Sequence, residues 1–142
     1  MNTNLKNRMR RGFTLMEMLV VITIIAILAA LIVPQLINKA DQARVAKAKS
    51  DIASLDTAIQ TYRLEVGKYP STDDGLNALV TQPSDAPNWK GPYVTHAIPN
   101  DPWGHPYVYQ SPGANNEPYV VQSYGPSGQA GGSDNITTND VQ

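Results

Sequence analysis

The sequence predicts an α+β protein. One long N-terminal helix, first membrane-spanning and then amphipathic, packs on a small antiparallel β-sheet head that ends in a C-terminal loop. Three observations predict this. Phe13–Val33 is an apolar run with one charged residue, Glu17, and residues 18–33 carry no charge at all. Ile52, Leu55, Ile59, Tyr62 and Val66 recur at steps of 3, 4, 3 and 4, the spacing of one helical stripe. Pro106–Gln110 and Tyr119–Ser123 have β-rich composition and are separated by the turn-forming SPGANNEP, which predicts a hairpin.

Residues 1–12 form a basic leader. Lys6, Arg8, Arg10 and Arg11 all fall there, with no acid. The whole chain has 142 residues and a net charge of −1, with 11 bases and 12 acids; without the leader, seven bases face twelve acids. A nucleic-acid binder is excluded on that balance, because neutralising phosphates takes clustered Lys and Arg. There are no cysteines, which excludes disulfides, thiolate metal sites and a cysteine nucleophile. With two histidines, His96 and His105, a multi-histidine metal centre is excluded too. Both lie in proline-containing loops, and neither falls near a serine or aspartate in a recognised catalytic arrangement; no phosphate loop is present.

Residues 13–33 match the ~20 helical residues that cross a ~30 Å bilayer core. Bases before the run and none directly after it keep the N-terminus in the cytoplasm and place the rest of the chain across the membrane. A cleaved secretory signal peptide fits less well. The run exceeds the usual ~7–15 residues, and no A-x-A pattern occurs between Ala26 and Val33. A plain signal anchor leaves Glu17 unexplained, since a carboxylate near a membrane centre costs ~3 kcal/mol and calls for a partner. Two partners suit it. One is the helix N-terminus, whose free N–H groups favour negative charge. The other is a new amine: a cut between Gly12 and Phe13 frees one on Phe13, and that cation in one subunit pairs with Glu17 of a neighbour when helices pack in register.

Residues 34–66 continue the helix as an amphipathic segment of good helix formers, with Gly67 as its stop. From Phe13 to about Glu65 such a helix is ~80 Å long. Pro34 lies just past the apolar run, where a proline removes one donor and crowds the preceding turn. Residues 67–142 form the head. Ser71–Gly75 reads as a loop and helix cap leading into a short helix, GLNALV; Pro83–Pro92 is a loop around Trp89; a third short strand joins the hairpin. Gly125–Asp140 is rich in Gly, Ser, Asn and Asp, and reads as a loop unless something ties it down.

Arg11-Gly12-Phe13-Thr14-Leu15-Met16-Glu17-Met18-Leu19-Val20-Val21 resembles the class III leader and N-terminal motif of type IV pilins and type II secretion pseudopilins. The resemblance implies that a prepilin peptidase cuts after Gly12 and methylates Phe13, that Glu17 serves assembly, and that Pro34 lets the helix bend or melt. Three head motifs choose the branch: GKYPSTDDGLNAL from Gly67, WKGPY from Trp89 and DPWGHPYVY from Asp101 are similar to the major pseudopilins of type II secretion systems. A structural reading stands beside this one: turns set by Pro and Gly, with Trp and Tyr filling a small core.

That family typically closes its C-terminal loop around calcium. The matching positions are the Tyr124 carbonyl, Ser127 and Asp134, with Ser127 where the family has an aspartate. Calcium takes six to eight oxygens, several of them charged, so one carboxylate fewer weakens the site; a hydroxyl, a water or Asn135 would fill the space. The competing reading is a mobile polar tail held by nothing.

The resemblance implies a structural, non-enzymatic subunit without a nucleotide site. It is held in the inner membrane with its head in the periplasm, then polymerises into a filament that drives folded proteins across the outer membrane. Its implied partners are other copies of itself, minor pseudopilins, the prepilin peptidase and an inner-membrane assembly platform. The alternative is a type IV pilin for adhesion, motility or DNA uptake; those pilins often carry a C-terminal disulfide loop, which a chain without cysteine cannot form.

Overall fold

The structure is a computed structural model that describes residues 12–141, with the side chains of residues 32–38 excepted. The leader residues before Gly12 therefore lie outside the described residues. The chain divides into two compact units, Met1–Ala40 and Asp41–Gln142.

Helix α1 spans Leu15–Val66 and contributes to both units. In the first unit its described side chains are exposed, Leu15 at 91% and Leu31 at 65%. Apolar exposure of that extent has no counterpart in an isolated soluble helix, which hides such a face. Among the described residues no helix is long and apolar enough to cross a membrane. The described side chains of this run stop at Leu31, two residues short of the predicted end at Val33. Pro34 does not break the helix: α1 passes through it.

In the second unit the predicted stripe is the core. Ile52, Leu55, Ile59 and Tyr62 are buried, joined by Ala48 one turn earlier. Each fully buried Ile or Leu contributes about 1.5–3 kcal/mol relative to exposure. The helix stops where expected: Gly67 takes φ +90 and donates its N–H to the Arg63 carbonyl at 2.8 Å.

The sheet has three antiparallel strands in the order β1 (Val108–Gln110), β2 (Val120–Ser123), β3 (Ile136–Thr137). Tyr109 faces Val121 across the hairpin, and Ser123 faces Ile136. The first hairpin strand is shorter than predicted, since Pro106 offers no N–H to a ladder, and the second begins one residue late. The third strand is two residues long.

Two other expectations change. The short helix is a 3-10 turn, Gly75–Leu79, and Asp74 does not cap it. The Asp74 carboxylate instead accepts from the Ser71 hydroxyl at 2.5 Å, while that hydroxyl oxygen accepts from the Asp74 N–H. This local turn consumes the side chain that would otherwise cap. The C-terminal stretch is also not a tail held by nothing. Ile136–Thr137 pairs with β2, and a second 3-10 turn, Thr138–Asp140, is closed by a reciprocal Thr137–Asp140 capping box.

Tyrosine hydroxyls tie the sheet to α1. Tyr107 donates to Asp51 at 3.0 Å, and Tyr119 donates to Asp56 while accepting from Gln60 at 2.8 Å. Tyr109 donates to the Pro70 carbonyl at 2.9 Å. Each ring fills core volume, and each hydroxyl finds an acceptor as it leaves water.

Candidate functional site

The N-terminal site is built on the first turn of α1. The Glu17 N–H donates to Thr14 Oγ1 at 3.1 Å, and the Thr14 N–H reaches back to Glu17 Oε2 at 3.4 Å. This is a capping box, in which a threonine and a glutamate three residues on satisfy two orphan donors of the helix. The carboxylate also lies against the positive end of the helix dipole. Of the two partners the sequence offered Glu17, this geometry places the first within its own chain. Glu17 Oε1 carries no hydrogen bond among the described residues, which leaves one oxygen for a second partner. Gly12 and Phe13 stand just before the cap. Among the described residues nothing lies within 4 Å of where a Cβ on Gly12 would sit. Thr14 was missed as a site residue, although the T-x-x-E spacing ahead of an apolar run announces it.

The C-terminal loop brings its three predicted residues together. Ser127 N–H donates to Asp134 Oδ2 at 2.9 Å, and Ser127 Oγ donates to Asp134 Oδ1 at 3.0 Å. The Tyr124 carbonyl lies 3.3 Å from the same hydroxyl. The Ser127 N–H, followed by its hydroxyl, holds the Asp134 carboxyl below the usual carboxylate range. As a calcium cage the donor set falls short. It has one carboxylate, both of whose oxygens already accept from Ser127, and among the described residues no three His, Cys, Asp or Glu side chains are grouped to hold a metal.

Beneath this loop is a buried carboxylate that sequence reasoning did not single out. Asp101 Oδ1 accepts from the N–H groups of Trp103 (3.1 Å) and His105 (2.8 Å), and Oδ2 accepts from Ser123 Oγ at 2.5 Å. Ser123 Oγ in turn accepts from the Gly125 N–H at 3.0 Å, where the loop begins. The Asp-Pro-Trp-Gly turn is the legible part of this knot, because aspartate caps its own turn; Ser123, 22 residues on, is not.

His105 Nδ1 lies 3.7 Å from Asp101 Oδ2, so serine, aspartate and histidine do meet here, contrary to the sequence expectation. The order is wrong for catalysis. The serine hydroxyl donates to the aspartate, with no hydrogen bond to the imidazole among the described residues, so no base is placed to activate it.

Comparison with known proteins now bears on these two sites. Residues 35–141 match the family described as "Type II secretion system (T2SS), protein G", and residues 7–33 match the "Prokaryotic N-terminal methylation motif". The chain is 45% identical over 134 residues to the type II secretion system core protein G of Pseudomonas aeruginosa, covering 92% of this chain and 94% of that one. It is 42% identical over 131 residues to the protein of the same name from Escherichia coli K12, covering 90% of each. The crystal structure of the major pseudopilin from the type 2 secretion system of enterohaemorrhagic Escherichia coli superposes with a TM-score of 0.65 at 33% identity, over 74% of this chain and 94% of that one. These matches favour the secretion branch over the type IV pili, and the chain belongs to the type II secretion system protein G family, the major pseudopilins.

Proposed function

We propose that this chain is the repeating structural subunit of a type II secretion pseudopilus, held as a single-pass inner-membrane protein until it polymerises. The observation that carries the reading is the first unit of the structure: apolar side chains exposed from Phe13 to Leu31, with Glu17 the one charged residue, positioned by Thr14 in the first turn. Lipid covers such a surface before assembly, and neighbouring copies cover it afterwards. Packing against equivalent helices trades lipid contacts for side-chain contacts, a nearly even exchange, so a polar pair decides register.

Cleavage between Gly12 and Phe13 by a prepilin peptidase supplies that pair. The new Phe13 amine is a cation four positions from Glu17 in its own chain, and the unpartnered Glu17 Oε1 accepts from the amine of an adjacent copy. Methylation of Phe13 leaves the charge in place. The head faces the periplasm and forms the outside of the filament, and its further partners are minor pseudopilins and an inner-membrane assembly platform. The role is mechanical, and Ser123, which donates to Asp101, is not set against His105 as a nucleophile against its base.

Mass spectrometry of the protein isolated from its native envelope tests the processing. The expected product begins at Phe13 and carries one extra methyl group; a chain that retains Met1, or one cut after residue 33, overturns the reading. Glu17→Ala tests the pairing. Processing stays near wild type, while filament yield falls by about tenfold or more, because a lone charge in an apolar layer costs up to about 3 kcal/mol. Filaments of normal abundance from that variant would remove the proposed acid–amine contact.

A further inference from the structure

The loop between β2 and β3 is closed by its own side chains. Ser127 presents two donors to one carboxylate: its N–H to Asp134 Oδ2 and its hydroxyl to Asp134 Oδ1. The two residues lie seven apart, so this bidentate contact draws the loop shut across its neck. A hydroxyl has one proton to give. Given to Asp134 at 3.0 Å, it leaves the Tyr124 carbonyl, at 3.3 Å, as a bystander.

The rest of the loop is consistent with closure from within. With the Asn135 amide turned so that each end meets a complementary partner, its Nδ2 donates to the Gln129 carbonyl and its Oδ1 accepts from the Gly131 N–H, both at 3.0 Å. Gly125 and Gly128 take φ +64 and +65, which turns the chain without a side chain in the way. A Cβ on Gly128 would sit 2.8 Å from His105 Nε2, so the loop lies directly on the turn that Asp101 holds. At Gly132 an added Cβ would meet Asp134 Oδ1 at 2.6 Å and Ser127 Oγ at 3.3 Å. That space is filled by the clasp itself.

We infer that the Ser127–Asp134 clasp does the structural work that a divalent cation would do in this loop, so that the head folds and stays closed without calcium. A cation needs several charged oxygens with free lone pairs; here one carboxylate is present and Ser127 has engaged both of its oxygens. The serine hydroxyl differs from a second carboxylate in carrying its own proton. Two facing carboxylates repel one another and call for a metal between them, whereas a hydroxyl facing a carboxylate donates to it.

The test is thermal unfolding of the full chain in detergent micelles, followed by the fluorescence of Trp89 and Trp103, in excess EDTA and in millimolar calcium chloride. The wild-type midpoints should agree within about 2 °C, which is less than the ~4–8 °C that 1 kcal/mol produces in a unit of this size; a larger rise in calcium overturns the inference. Ser127→Ala removes the hydroxyl bond to a charged acceptor, and its midpoint in EDTA should fall by about 4–8 °C. An unchanged midpoint for that variant shows that the clasp carries no load, and also overturns it. Ser127→Asp adds the second carboxylate, so it should melt below wild type in EDTA and recover in calcium; a flat response to calcium would mean that residue 127 is not what frees the loop from metal. The wild-type comparison stands even where a variant fails to fold.

Discussion

Asp101→Ala should lower the stability of the head by about 3–5 kcal/mol, the range for deleting one partner of a buried charged group. The Asp101 side chain is fully buried, and the substitution strands three donors at once: the N–H groups of Trp103 and His105 and the Ser123 hydroxyl. Each buried donor left without a partner costs about 1–3 kcal/mol. A domain of this size is stable by only about 5–15 kcal/mol, so the variant loses a large fraction of the total. Thermal denaturation should show the midpoint lowered by about 12 °C or more. The conservative Asp101→Asn keeps one carbonyl acceptor and should fall between the two. A drop below about 4 °C for Asp101→Ala would mean that the three donors find other acceptors, and that the knot under the C-terminal loop is dispensable.

Alkaline solution should unfold the head above about pH 10, through the buried tyrosines that tie the sheet to α1 and to the Pro70 loop. Burial, the largest influence, raises Tyr107, Tyr109 and Tyr119 above their usual value of 10.0, and Tyr109 is pushed up to about 12. For Tyr107 and Tyr119 the accepting carboxylates of Asp51 and Asp56 raise them further. A group whose value is raised by folding holds its proton more tightly in the folded state. Its contribution is complete below pH 10, where both states are protonated. It declines as the unfolded chain ionises from pH 10 upward, and is gone once the pH passes the folded value. For Tyr109 alone the loss between pH 10 and 12 is about 3 kcal/mol. Tyrosinate absorbance and tryptophan fluorescence, recorded together against pH, should therefore change in one cooperative step for these residues. Tyrosinate that appears gradually around pH 10 while the fluorescence stays native would refute the coupling.

The elements legible in the sequence were those with a local cause. The 3, 4, 3, 4 spacing from Ile52 to Val66 identifies a helix and names the face it buries, because side chains that share a face must recur at the helical period. Gly67 ends α1 because only glycine takes that φ at no steric cost. The hairpin is visible because β-rich composition flanks a turn-forming stretch. At the N-terminus the motif around Gly12, Phe13 and Glu17 is likewise local, lying within a dozen adjacent residues that match the N-terminal methylation motif. The Thr14 cap is equally local, and the T-x-x-E pattern would have revealed it.

What escaped was polar and long-range. Tyr119 meets Asp56 across 63 residues and Tyr107 meets Asp51 across 56. Nothing periodic marks such pairs, since hydrogen bonds need only that two groups arrive together while leaving water. The third strand was expected but its place was not: two residues carry too little alternation to show, and Ile136–Thr137 becomes a strand only because β2 is there to pair with it. The helix that runs on through Pro34 was legible too, because the good helix formers after it carry the pattern forward.

By itself, then, the chain's order of residues determined a greasy helix with an acid in its first turn, an amphipathic continuation, and a small β head belonging to a recognisable secretion branch. Tertiary structure alone decided how the head is locked: which acids receive the tyrosine hydroxyls, how Asp101 gathers three donors, and that Ser127 closes on Asp134. Periodicity and caps act between neighbours and can be read along the chain. Burial of a polar group sets a condition that only residues brought from elsewhere in the fold can meet.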